Sequence, residues 1–206
     1  AVTKKGYSGV AIYSRIQPDE VRTSLGWAPF DDEGRYIEAR FGKLSVVSLY
    51  LPSGSSAEHR QDFKFEVMAW FRPILDGWLR SDRDYVLCGD WNIVRSELDI
   101  RNWKSNQKTS GCLPAEREWM NGLCADPASR EAAWVDAYRE LHPQGQAYTW
   151  WSNRGAARAK DVGWRIDYQL ATPSLRSRLT ACSIERAQQF SDHAPFSVDY
   201  SGALRG

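Results

Sequence analysis

The sequence predicts an α/β or α+β fold built on mixed sheets. Short β-branched and aromatic runs alternate with stretches of helical period. Several of these runs stop at compact polar clusters, as strands do when they carry side chains to the edge of a sheet. A length of 206 residues suits a single domain spanning 1–206. With 42% hydrophobic and 26% charged residues, disordered, collagen-like and fibrous classes drop out.

Taken in order, residues 9–15 (GVAIYSR), 36–41 and 44–51 (LSVVSLYL) read as strands, the last ended by the Pro52-Ser53-Gly54 turn. Over 56–80 the residues Phe63, Phe65, Val67, Met68, Trp70, Phe71, Ile74, Leu75 and Trp78 recur at helical spacing, with Ser56 placed to cap the helix and Pro73 to kink it. The continuous apolar run 85–88 (YVLC), stopping at Gly89-Asp90, reads as a buried strand. Residues 95–111 are polar and aperiodic, and a loop of that length in a compact fold is a candidate binding loop. Residues 114–123 open with proline and place glutamates in the first turn, which is helix-start chemistry. Strands at 147–151, 165–171, 179–187 and 195–200 complete the series.

Charge and cysteine usage narrow the function classes. Twenty-seven basic and 26 acidic residues leave a formal charge of +1, so a polyanion site would have to be local. The four cysteines have no C-x-x-C pair and suit neither a disulfide framework nor a zinc site, and Cys88 falls in a buried strand where a nucleophile is not expected. No apolar run approaches a membrane span of about 20 residues. The first residues lack the apolar core of a secretory signal, so the cytoplasm is the expected compartment. Ten tryptophans against two methionines stand out, because an indole serves a stacking platform as well as a core.

Three polar clusters sit at predicted strand ends: Gly89-Asp90-Trp91-Asn92, Arg165-Ile166-Asp167-Tyr168 and Ser191-Asp192-His193. They bring carboxylates for a hard cation or for proton abstraction, an amide to orient a water, and an imidazole. Taken singly, each is an ordinary turn or edge-strand triplet. Adjacent residues on an extended chain face opposite ways, so Asp192 and His193 have different partners, and Asp167 is the best candidate to orient His193. Local charge supplies a binding surface. Residues 101–108 (RNWKSNQK) carry three cations and no acid, and Arg158 and Lys160 stand against Asp161 alone. Such loops are often plain solvated surface. Trp103, Trp150, Trp151 and Trp164 within or beside them suit stacking on bases. Trp70, Trp78 and Trp119, on helical faces, suit packing.

In chain order, GDWN, RNWKSNQK, GCLPAEREWM, YTWW, VGWRIDYQL and SDHAP resemble the exonuclease III group of apurinic/apyrimidinic DNA repair endonucleases, within the wider endonuclease/exonuclease/phosphatase superfamily. GYSGVAIYSR, the D-x-E-G-R of residues 31–35 and SLYLPSG extend the resemblance over nearly the whole chain. It implies a four-layer sandwich of two mixed sheets flanked by helices, and a Mg²⁺-dependent phosphodiesterase, with Mn²⁺ as a substitute, acting on double-stranded DNA at abasic sites or at recessed or blocked 3′ ends. It also implies a monomer. By the same resemblance, Asp90 activates or positions the attacking water and Asn92 orients it. His193 stabilises the scissile phosphate with Asp167 behind it, and Tyr50 contacts the phosphate. Asp192, Asp90 and Asn92 are the expected metal neighbours. The implied DNA-facing set is Asn106, Trp103, Lys104, Lys108, Trp150, Trp151, Arg158, Lys160, Trp164 and Ile166, with Trp150, Trp164 and Ile166 lining the pocket for an extrahelical abasic sugar.

The resemblance departs at its start, since an asparagine strand and a strand bearing the metal-binding glutamate would precede GYSGV, where only residues 1–5 stand. The expected fold is therefore short of its first strand-helix-strand unit, as a fragment of a full enzyme would be. The rival expectations are a catalytically impaired DNA-binding paralogue and, within the same fold, a phosphoinositide or sphingomyelin phosphohydrolase.

Overall fold

The computed structural model describes residues 7–124 and 133–202. Its centre is a six-stranded mixed sheet in the order β1 (Glu20–Arg22), β2 (Tyr36–Phe41), β3 (Leu44–Tyr50), β4 (Asp84–Asp90), β8 (Asp167–Ala171), β5 (Val135–Asp136). Strand β2 turns back into β3 through Gly42, and β1 pairs on the outer side of β2. Strand β4 lies parallel to β3, and a parallel pair needs a crossover. Helix α2 (Glu58–Leu79) provides it. Beyond β4 come β8 and β5, both antiparallel to their neighbours. The architecture is α/β with mixed sheet flanked by helices, as the sequence predicts.

Alternation along β3 separates the two faces of the sheet. Ser45, Val47 and Leu49 are buried, and Leu44, Val46, Ser48 and Tyr50 are half-buried. Val47, Leu49, Leu87 and Leu170 pack under Val67, Met68, Phe71 and Leu75 of α2. Helix α1 (Ala28–Asp31) brings Phe30 to this core, and α3 (Pro114–Asn121) brings Met120. The tryptophans fill it: Trp91 and Trp134 are fully buried, and Trp78 stacks on Tyr85 with centroids 4.9 Å apart. On the opposite face the hairpin of β9 (Leu179–Ile184) and β10 (Phe196–Tyr200) lays Leu179 and Tyr200 over Val86, Ala171 and Leu175. Helix α4 (Ala137–Leu141) packs against β8 and β9. A two-stranded ribbon of β6 (Trp150–Trp151) and β7 (Gly163–Trp164) stands beside the main sheet. Among the described residues, no helix is long and apolar enough to cross a membrane.

Five expectations need correction. Residues 9–15 join no ladder and Tyr13 is 99% exposed, because a β-branched run becomes a strand only where an edge is available to pair with it. The strand on that side of β2 is instead the short β1, which hydrophobic pattern could not single out because all three of its residues are exposed. Ser56 does not cap α2, whose N-cap is Ala57 with no side-chain bond. Pro73 lies on the exposed side of an unbroken helix, where the lost amide donor leaves the buried stripe intact. The loop 95–111 is not wholly irregular, since Glu97–Asp99 and Lys104–Asn106 form single 3₁₀ turns. Of the strand expected over 147–151, only β6 is laddered.

Candidate active site

Three neighbouring strands end in register. Tyr50 of β3 stands opposite Asp90 of β4, and Asp90 opposite Asp167 of β8. Gly89 makes this closeness possible. Its φ is +145°, and a Cβ there would lie 1.8 Å from the Leu49 carbonyl oxygen, so no other residue fits before Asp90. After Asp90 the chain is pinned by the Trp91 amide, which donates to the Ile166 carbonyl at 2.9 Å, and then turns through Asn92 at φ +52°. Asparagine tolerates that left-handed geometry through local hydrogen bonds. Its backbone N–H donates to Asp90 Oδ1 at 2.8 Å, and its side-chain amide donates to Asp90 Oδ2 at 3.1 Å and to the Leu51 carbonyl at 2.8 Å.

The third cluster arrives from the loop before β10. His193 Nδ1 lies 2.9 Å from Asp167 Oδ2, while the neighbouring Asp192 Oδ2 accepts from the Trp150 indole at 3.0 Å. The two adjacent side chains thus part to different partners, as an extended backbone requires. Two anchors hold the arrangement. The Thr149 hydroxyl accepts from the amides of Ile166 and Asp167 at 3.2 Å each, and the Trp151 amide donates to the Asp192 carbonyl at 3.0 Å.

The electrostatics of the cluster follow from its crowding. Burial, then the charge of Asp167, pushes the Asp90 carboxyl up to about 7 against the opposing pull of His193. Burial works against a charged His193 ring, but the hydrogen bond and charge of Asp167, helped by Asp90 and Asp192, outweigh it and lift the ring to about 9. A base near neutrality beside an imidazolium is a pairing that proton-transfer chemistry uses. The Tyr50 hydroxyl is raised by burial and by Asp90, and its ring lies under the Arg35 guanidinium at 4.5 Å.

Asp90, Asp167 and His193 each offer a ligand atom, all within 4.8 Å of one another, and can hold a divalent metal. A hard cation prefers oxygen donors and often uses only one or two carboxylates, which Asp90 and its neighbours provide. Asp90, its carboxyl raised by burial and by the charge of Asp167, is the kind of crowded acid whose charge a bound cation relieves. Asp192 lies in the same cleft but outside that cluster, its carboxylate tied to Trp150.

Tyr50, Asp90, Asn92, Asp192 and His193 open on one cleft of about 290 Å³, walled by Trp150, Trp164 and Ile166. The two indoles meet edge to face, centroids 6.1 Å apart. Ser53, Ser55, Thr109, Ser110 and Gly111 complete the lining. Of these, Thr109, Ser110 and Gly111 escaped the sequence reading, although they end the loop that its aperiodicity had marked. Trp103 and Lys104 line a neighbouring cleft of about 590 Å³ together with Arg101 and Tyr148, and Arg117 stacks on Trp103 at 4.4 Å. Asn106 is engaged within its own turn, donating to the Asn102 carbonyl at 2.7 Å and accepting from the Thr109 hydroxyl at 3.1 Å. Lys108 and Lys160 are exposed. Arg158 donates to the Ser191 carbonyl at 3.1 Å. Trp151 is the correction in this set. It is 1% exposed, with Arg158 and Arg186 over its ring and its indole donating to Asp161 at 3.1 Å, so it has no free face for stacking.

The chain is similar to known proteins along most of its length. A family model described as "Endonuclease/Exonuclease/phosphatase family" matches residues 1–193. An exodeoxyribonuclease of Bacillus subtilis is 36% identical over 198 residues, covering 95% of this chain and 75% of that protein. A DNA repair nuclease of Danio rerio, APEX1, is 38% identical over 196 residues, and there the match covers 95% of this chain and 61% of the relative. Among solved structures, an AP endonuclease from Archaeoglobus fulgidus superposes with a TM-score of 0.72 at 25% identity, over 90% of this chain and 72% of that one.

Proposed function

The chain belongs to the endonuclease/exonuclease/phosphatase family, in its exonuclease III and AP endonuclease branch, and on that premise we propose that it is a Mg²⁺-dependent hydrolase of DNA base-excision repair. Its substrate is double-stranded DNA carrying an abasic site or a recessed or blocked 3′ end, and it acts as a monomer. One observation carries the reading: Asp90, Asp167 and His193 converge at the end of the sheet, and Asp90 and His193 open on a cleft with an indole wall.

Each residue has a task that its surroundings support. Asp90, poised near neutrality, takes the proton of the attacking water, and Asn92, tied to both Asp90 oxygens, orients that water. His193, kept cationic by Asp167, meets a phosphate oxygen as negative charge grows on it. Tyr50 contacts the same phosphate from the neighbouring strand. Asp90 and Asn92, with Asp192 beside them, would hold Mg²⁺, or Mn²⁺ in its place, and the bound ion supplies positive charge to the phosphoryl oxygens. Trp150, Trp164 and Ile166 receive an abasic sugar turned out of the helix, and Trp103, Lys104, Lys108 and Lys160 meet the flanking strand. The cations and indole of residues 101–104, which line the neighbouring cleft, favour nucleic acid over a phospholipid headgroup. The cysteine spacing, which suits no disulfide framework, favours a reducing cytoplasm.

The test is incubation of the chain with a duplex holding one abasic site and with a 3′-phosphate duplex, each in Mg²⁺ and in chelator. Mg²⁺-dependent cleavage is expected, and Trp164→Ala should lose abasic incision more than phosphate removal. Inertness on both DNAs alongside turnover of a phosphoinositide or sphingomyelin would overturn the reading.

A further inference from the structure

Lys64 of α2 and Glu116 of α3 are both completely buried, with Nζ and Oε1 2.6 Å apart. Attraction within such a pair rarely exceeds the cost of desolvating it, and two apolar side chains would join the helices as well. The other bonds of the pair run towards the active-site loops. Lys64 Nζ donates to the Asn92 carbonyl at 2.8 Å. Glu116 Oε2 accepts from the amides of Gly111 at 2.6 Å and Leu113 at 3.0 Å, and Gln61 donates to Oε1 at 3.1 Å.

These contacts close around a single peptide. Asn92 is left-handed at φ +52° and Gly111 at φ +89°, and a Cβ on Gly111 would come within 2.8 Å of the Asn92 carbonyl oxygen. That oxygen is therefore gripped between the Lys64 ammonium and the Gly111 backbone, while the Gly111 carbonyl accepts from the Val94 amide at 2.8 Å. Release of the Asn92 carbonyl lets the residue relax from a costly backbone region. Relaxation would swing its side-chain amide away from Asp90 and Leu51.

We propose that Lys64 and Glu116 are positioning residues, which fix the Asn92 backbone so that its side chain stays locked to Asp90. They touch no substrate and act through Asn92. This inference rests on the hydrolytic reading of the cleft, and its test separates the two.

The experiment measures kcat and KM on an abasic-site duplex with Mg²⁺ for the wild type, for Lys64→Met/Glu116→Leu, for Asn92→Ala, and for all three changes combined. The apolar pair should still fold but melt several degrees lower, because the Asn92 carbonyl and the Gly111 and Leu113 amides lose their partners. It should lower kcat by about 100-fold, as ångström-scale misplacement does, with KM within about threefold. In the Asn92→Ala background the same two changes should alter kcat by less than about twofold, because nothing is left to position. An unchanged kcat with Asn92 present, or an equal loss in both backgrounds, would overturn the positioning role. If the apolar pair does not fold, Lys64→Gln, which keeps a donor, should be more active per folded molecule than Lys64→Met, and equality would overturn it. A wild type that cleaves no DNA defeats the hydrolase reading and this inference with it. An active wild type matched by the apolar pair defeats the inference alone.

Discussion

His193 owes its charge to its neighbours. An isolated imidazole is mostly neutral at pH 7.5, yet the ring beside Asp167, Asp90 and Asp192 is lifted to about 9 and stays cationic. In the metal-free protein, the His193 C2 proton should titrate near pH 9 by NMR, and Asp167→Asn should bring the midpoint below 7. A midpoint near 6.5 in the wild type would remove the cationic clamp from the mechanism. At this scale much of the site was legible, because residue type and the opposite facing of neighbours on an extended chain sufficed to pair His193 with Asp167 across 26 positions. The tryptophans show where legibility stops. Trp150 and Trp151 are adjacent on a two-residue strand, so one must face the cleft and the other the interior, and only tertiary packing decides which.

The elements place these residues by strand register. Gly89 carries that function for β4, since its φ of +145° and its contact with the Leu49 carbonyl keep Tyr50 and Asp90 abreast. Gly89→Ala should cost about 3 kcal/mol in urea denaturation, combining backbone strain with a backbone clash. A cost under about 1 kcal/mol would mean that the strand pair yields easily and does not fix the site. Helix α2 was legible from its 3.6-residue period alone, whereas the strand expected over 9–15 was not realised. Helices satisfy their backbone internally, but a strand depends on a partner that its own residues do not encode.

At the scale of the molecule, the site rests on a buried ion network that joins distant segments. Arg165, two residues before Asp167, bonds Asp99 at 2.7 Å and Asp136 at 2.8 Å, and Arg139 and Arg95 extend the network. Nothing local in Arg165-Ile166-Asp167 announces these partners, so the network was illegible from sequence. Although burial opposes it, the charges of Arg165 and Arg95 hold the Asp136 carboxyl down at about 2 from its ordinary 3.8. The fold therefore favours the ionised form. About 2 kcal/mol of stability is present above pH 4 and disappears as pH falls through about 2. Thermal melts should show this loss between pH 4 and 2, and Asp136→Asn, less stable at neutral pH, should show a shallower acid slope. An identical slope in both proteins would place the acid-sensitive groups elsewhere. Hydrolysis in this cleft requires the strand-end carboxylate to do chemistry on DNA. The direct measurement is single-turnover incision of a duplex with one abasic site in Mg²⁺ by the wild type and by Asp90→Asn, with DNA affinity measured in parallel. Asp90→Asn should lose about 1,000-fold or more in rate, with affinity changed less than about threefold. An Asp90→Asn variant that cleaves as fast as the wild type would contradict this requirement.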